Sequence, residues 1–170
     1  MGMSGTPTPP TLPFSRYPAG GSRPLGRLRG SHARQGYGLQ LRRTTGETAC
    51  AFCGLDLFGG YDRWLTLQVD HVVPSSVAAA LGIPVDLYQD QFNCVLACAA
   101  CNAFDNRYRH VVDFPPPAEW TVEAFVALRD TVFAERHARI AKRHAAERAF
   151  FEATISPLGA LTGTTDPPSS

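Results

Sequence analysis

Four cysteines stand in two tight pairs, Cys50-Ala51-Phe52-Cys53 and Cys98-Ala99-Ala100-Cys101, with 44 residues between them. Two Cys-x-x-Cys knuckles supply four thiolates, the set that suits the tetrahedral preference of structural Zn²⁺. A closed four-sulfur shell leaves no coordination position for a substrate, so the role expected of Cys50, Cys53, Cys98 and Cys101 is structural. Two alternatives stay open: a redox pair at Cys50/Cys53, and replacement of Cys98 by the fifth cysteine, Cys94. The latter reads more simply as a small apolar core residue. Between and just after the knuckles lie other residues able to do chemistry: Asp70-His71-Val72-Val73-Pro74, then Asn93, Asn102 and Asn106. An imidazole with an unperturbed pKa of about 6.5 can accept a proton near neutral pH. Carboxylate and amide oxygens are the donors that hard divalent cations require.

The order Cys50-x-x-Cys53, Val69-Asp70-His71-Val72-Val73-Pro74, Phe92-Asn93-Cys94 and Cys98-x-x-Cys101-Asn102 resembles the HNH endonucleases. The resemblance covers roughly residues 47–110. It implies an α+β fold with a small ββα-metal, treble-clef-like core held by the four-cysteine zinc clip. It implies hydrolysis of DNA phosphodiester bonds, with His71 as general base, Asp70 and Asn102 holding a catalytic cation, and Asn93 fixing the loop and orienting His71 through a backbone hydrogen bond. Many relatives carry His where this chain has Asn102. The oxygen donor shifts the expected cation towards Mg²⁺ or Mn²⁺. Asn106, four residues on, falls on the same helical face as Asn102 and reads as a third ligand or a supporting partner. Asn102 could instead cap the helix that begins near Cys101. Asp70 and His71 are neighbours, and a regular strand would send them to opposite faces, so the strand is expected to end or bulge there.

The elements that must position these residues are partly legible. Trp64–Val69 alternates in character and favours a strand, ended by Pro74. Ser76–Leu81 suggests a short serine-capped helix stopped by Gly82 and Pro84, and Cys101–His110 a second one. A long helix is expected from Thr121 to Ala153, with Thr121 as N-cap and Phe125, Leu128, Val132 and Phe133 on its apolar face. The expected organisation is a Pro/Gly/Arg-rich disordered arm over residues 1–38, a nuclease domain over 39–114, a helical extension over 115–156 and a disordered tail over 157–170.

Charge adds a partner class. Residues 1–49 hold seven arginines against Glu47, residues 50–114 seven aspartates against three arginines, and the whole chain carries only +1. A basic arm beside an acidic centre fits a nucleic-acid binder that also gathers carboxylates for a metal. Arg107, Arg109, Arg136 and Arg143 are the expected phosphate contacts, although Glu135, Glu147 and Glu152 also let the long helix read as an ordinary solvated face. Phosphate contacts carry no base specificity, so nicking or weakly specific double-strand cleavage of DNA is expected. A protein partner or homodimer stays open. Apolar residues make up 44% of the chain with no run near the roughly 20 needed to span a bilayer, which points to a cytoplasmic protein with no membrane partner. The competing function class is a non-catalytic zinc module that binds nucleic acid or protein.

Overall fold

The computed structural model describes residues 23–109 and 115–156. The expected disorder of residues 1–22 and 157–170, and the end of the helix anticipated at His110, lie outside them. The fold is mixed α and β. Two short strands, β1 (Leu67–His71) and β2 (Cys94–Cys98), pair antiparallel with Leu67 opposite Cys98 and His71 opposite Cys94. The helices are α1 (Leu39–Thr45), α2 (Tyr61–Leu65), α3 (Ser75–Ala80), α4 (Val85–Tyr88), α5 (Ala99–Phe104) and α6 (Val122–Phe150). Among the described residues no helix is long and apolar enough to cross a membrane.

β1 starts later than the alternation suggests. Its pairing begins opposite Cys98, the last residue of β2, and the residues before it wind into α2 instead. There Trp64 packs on Phe58, with ring centres 5.5 Å apart. At its far end β1 runs through His71, and Val72 then donates its N–H to the Asn93 carbonyl at 2.8 Å. All five residues of β2 are buried, in the same core that takes the apolar face of α6.

α6 begins as its sequence dictates. Thr121 Oγ1 accepts from the Ala124 N–H at 3.2 Å, which satisfies one of the orphan donors of the first turn. Phe125, Leu128, Val132, Phe133 and Ile140 are buried in the same core as Phe52, Val72 and Phe92. Phe52 stacks on Phe133 and Phe92 tilts onto Phe125, each pair 5.3 Å between centres. The segment expected as an extension therefore closes the one core that the strands also use. α3 carries no side-chain cap; Pro74, rather than a serine, precedes its first turn.

Two boundaries differ from expectation. The chain is docked from Leu25 onwards, well before residue 39. Asp90 accepts from the backbone N–H groups of Leu25 (2.9 Å) and Gly26 (2.7 Å), Arg27 forms a bridge with Asp90, and Leu28 is buried in the core. Composition predicted an arm too polar to fold. One leucine and one buried carboxylate acting on two backbone donors are enough to hold it. Gly38 then passes the β1 residue Leu67 so closely that a Cβ would sit 2.6 Å from its Cδ2, so only glycine fits there without movement. At the other boundary, α5 stops at Phe104. The Asp105 carboxylate is drawn off to arginines of α6, and Asp105 leaves the helical conformation.

Candidate functional site

The four sulfurs of Cys50, Cys53, Cys98 and Cys101 lie within 4.8 Å of one another. Sulfurs bound at about 2.3 Å to a tetrahedral ion are separated by about 3.8 Å, and Cys53 Sγ stands 3.8 Å from Cys98 Sγ. Each knuckle is shaped locally. In the first, the Gly54 N–H reaches the Cys50 carbonyl at 2.9 Å, with Gly54 at φ +76°. In the second, Cys98 Sγ accepts from the Cys101 N–H at 3.5 Å and caps α5. Hydrogen bonding within the cluster, first with Cys101, pushes the thiol of Cys98 down and that of Cys53 down to about 7, while the thiols of Cys50 and Cys101 are pushed up, so the four sulfurs share their protons unequally. The cluster can hold a structural metal such as zinc. Cys94 is outside it: fully buried, with its thiol directed at the Asp90 carbonyl. It packs as the small core residue expected.

A further residue joins the clip unforeseen. His144 of α6 places Nε2 3.0 Å from Cys101 Sγ, and its ring meets Phe104 edge-on at 4.9 Å. The helical spacing of Phe133, His137, Ile140 and His144 puts all four on one face; that pattern was readable, but it does not distinguish a ligand-supporting His from a core one.

Asp70 and His71 meet different neighbours. The Asp70 Oδ2 atom accepts from Arg136 Nη2 at 2.6 Å. The other Asp70 carboxylate oxygen has no hydrogen bond among the described residues, and Asn102 is half-buried within α5. One free carboxylate oxygen and one amide oxygen are hard donors of the kind Mg²⁺ or Mn²⁺ takes. Burial pushes the Asp70 carboxyl above its usual range, and Arg136 pulls it back. His71, half-buried, lines a pocket of about 120 Å³ with Arg27, His32, Tyr37, Ser75 and Gln89. Burial holds the His71 imidazole below its usual pKa, against the pull of Asp70. The ring is therefore neutral at pH 7 and able to accept a proton.

The strand ends at His71, one of the two outcomes expected, and pairs in unbroken register up to that residue without a bulge. It is fastened from α6. Arg136, 1% exposed, donates through Nη1 to the carbonyls of His71 (2.7 Å) and Val72 (3.0 Å), through Nη2 to Asp70, and through Nε to Asp105 at 3.3 Å. Arg136 is thus not a phosphate contact. Its guanidinium is consumed inside the protein, because α6 turns that face onto the sheet. Arg129, one heptad earlier, is also buried and donates to the Phe92 carbonyl at 2.9 Å.

Asn93 is fully buried. Its side chain accepts from the Val73 N–H and donates to the Val73 carbonyl, both at 3.0 Å, and donates to the Tyr88 carbonyl at 2.7 Å. It ties the loop down as expected. The group on the His71 carbonyl, however, is Arg136 rather than Asn93. Asn102 sits inside α5 and does not cap it. Asn106 lies beyond the helix end and is exposed, so the same-face argument that paired it with Asn102 fails. Arg107, Arg109 and Arg143 are exposed; Arg143 pairs with Glu147 at 2.9 Å. Among the described residues no hydrogen bond joins Asn102 or Asn106 to Asp70 or His71. Comparison with protein-family models, with curated proteins and with solved structures finds no match to this chain.

Proposed function

We propose that the chain is a metal-dependent endonuclease of the HNH type that hydrolyses DNA phosphodiester bonds. The observation that carries this reading is a neutral, pocket-facing His71 one residue from a half-buried carboxylate, on a strand end fastened by Arg136, in a strand pair whose other end carries the four-cysteine cluster. The strand pair followed by α5 is the ββα order that such an enzyme uses.

In this reading the His71 imidazole takes the proton of the attacking water. A divalent cation, when bound, supplies charge to the phosphate and the leaving oxygen; Asp70, through its free oxygen, and Asn102 are the residues that would hold it. Arg136 opposes the burial that raises the Asp70 carboxyl and fixes the carbonyl of His71, so that base and carboxylate keep their spacing. Asn93 fixes the loop that follows. The zinc clip holds β2 and α5 in register and takes no part in proton transfer. Arg107, Arg109 and Arg143 are exposed and would meet flanking phosphates, Arg143 by giving up its surface pair with Glu147, a sequence-independent and salt-dependent contact.

One observation favours a second reading, a non-catalytic zinc module. Asp70 is engaged by a buried arginine, and such a pairing is also what a purely structural carboxylate makes. Plasmid nicking by the zinc-loaded protein with Mg²⁺ or Mn²⁺ separates the two. General-base catalysis is worth on the order of 10²- to 10⁴-fold, so His71→Ala is expected to lose that much rate while keeping its fold and zinc. No cleavage with any divalent cation, together with equal DNA binding by wild type and His71→Ala, decides for the binding module.

A further inference from the structure

We propose that residues 23–38 form a fixed wall of the site and that Arg27 and His32 bind a phosphate oxyanion beside His71. The inference deepens the endonuclease reading and takes from it only the identity of the anion. It rests first on placement. Asp90 grips the backbone of Leu25 and Gly26, the Gln91 N–H returns to the Gly26 carbonyl at 3.0 Å, and Gln40 bonds both the N–H and the carbonyl of Arg29. Leu28 anchors the segment from within. Gly26 and Gly30, at φ +83° and +89°, turn the chain on either side of it.

It rests next on chemistry. Besides the apolar Leu28, the pocket that holds His71 is walled by a guanidinium (Arg27), a second imidazole (His32), a phenol (Tyr37), a hydroxyl (Ser75) and an amide (Gln89), with no carboxylate among them. All of these polar groups can donate hydrogen bonds, and an oxyanion is the ligand that takes several donors at once. Asp86 pairs with Arg27, but it stands out in solvent with 88% of its side chain exposed, where a phosphate can displace it. The Tyr37 ring tilts onto that of His32 at 43°, with ring centres 4.5 Å apart, and packs against it. At about 120 Å³ the pocket has room for one tetrahedral oxyanion.

The test uses the zinc-loaded full chain without Mg²⁺ or Mn²⁺, labelled with ¹⁵N-histidine and titrated with inorganic phosphate. The ring signals of His32 and His71 are expected to shift together and to saturate. Arg27→Gln and His32→Gln are each expected to weaken binding about ten-fold or more, the size of one charge-assisted hydrogen bond, while Lys142→Gln, exposed on α6, leaves it unchanged. His32 is exposed, so its replacement does not threaten the fold, and the unchanged signals of the other histidines verify this in each variant. Phosphate that leaves the His32 and His71 signals in place, or that binds all variants alike, overturns the proposal. Phosphate binding that depends on His32 in a protein that never cleaves DNA upholds this inference and defeats the endonuclease reading. Cleavage at an unchanged rate and KM in His32→Gln and Arg27→Gln does the reverse.

Discussion

Replacing Arg136 by methionine is expected to cost about 3–5 kcal/mol of folding stability, the range for removing one partner of a buried ion pair. Methionine roughly fills the stem but returns none of the four hydrogen bonds that Arg136 makes. Asp105, 3% exposed, keeps only Arg139, and Asp70, 15% exposed, loses its ion-pair partner. Two strand-end carbonyls are also stripped of donors. For domains of about 60–250 residues each kcal/mol moves the Tm by about 2–8 °C, so a fall on the order of 10–20 °C is expected. Urea titration of the zinc-loaded protein at pH 7 measures the free energy directly. Arg136→Lys restores charge without the fork and should fall between. Adding Asp70→Asn to Arg136→Met should recover part of the loss, because one stranded charge is gone. The pH dependence has a definite sign. Burial already raises the Asp70 carboxyl, and Arg136 opposes that rise. Without Arg136 the native state binds this proton more tightly than the unfolded chain does, so the deficit of Arg136→Met shrinks on acidification through the carboxylate range. A loss under about 1 kcal/mol, or a deficit that grows at low pH, would refute the reasoning.

Other outcomes follow from the same geometry. Stripping the cysteine cluster with a strong chelator should unfold the domain cooperatively, since zinc-finger peptides gain apparent free energies of about 10–16 kcal/mol from their metal; retained helical circular dichroism after complete removal would contradict this. Asn93→Ala leaves the Val73 N–H and the Val73 and Tyr88 carbonyls without their side-chain partner in a buried loop. A loss of about 2–4 kcal/mol is expected, at 1–3 for each buried group left unsatisfied with some relaxation, as read by urea titration. The acid limb of any cleavage activity should lie below pH 6.5, because burial holds the His71 pKa under its ordinary value and the base stays neutral further into acid; a limb above pH 7 would assign the titration to another group.

Much of the local chemistry was legible in the chain. Both knuckles, the capped start of α6, its apolar face and the isolation of Cys94 follow from residue type and spacing, which local geometry obeys. What could not be read depends on contacts between distant segments. Arg136 resembles any surface arginine in a mixed-charge helix; only the docking of α6 on the sheet turns it inward onto Asp70 and Asp105. The early end of α5 has the same origin, since Asp105 is claimed from outside its own helix, and Asn106 was misplaced as a result. Residues 23–38 read as disorder because composition weighs average polarity. One leucine and the Asp90 carboxylate decide their fate instead, and Asp90 lies more than fifty residues further along.

The single helix α6 reaches both the clip, through His144, and the end of β1, through Arg136. A fragment cut at Phe114 would carry every motif residue and yet lack both ties, along with the aromatic and aliphatic side chains that roof the sheet. Anyone who trims this protein to its recognisable signature should expect insoluble material, and a graft of residues 47–110 into another scaffold would need a substitute for two arginines and an imidazole that the signature never mentions.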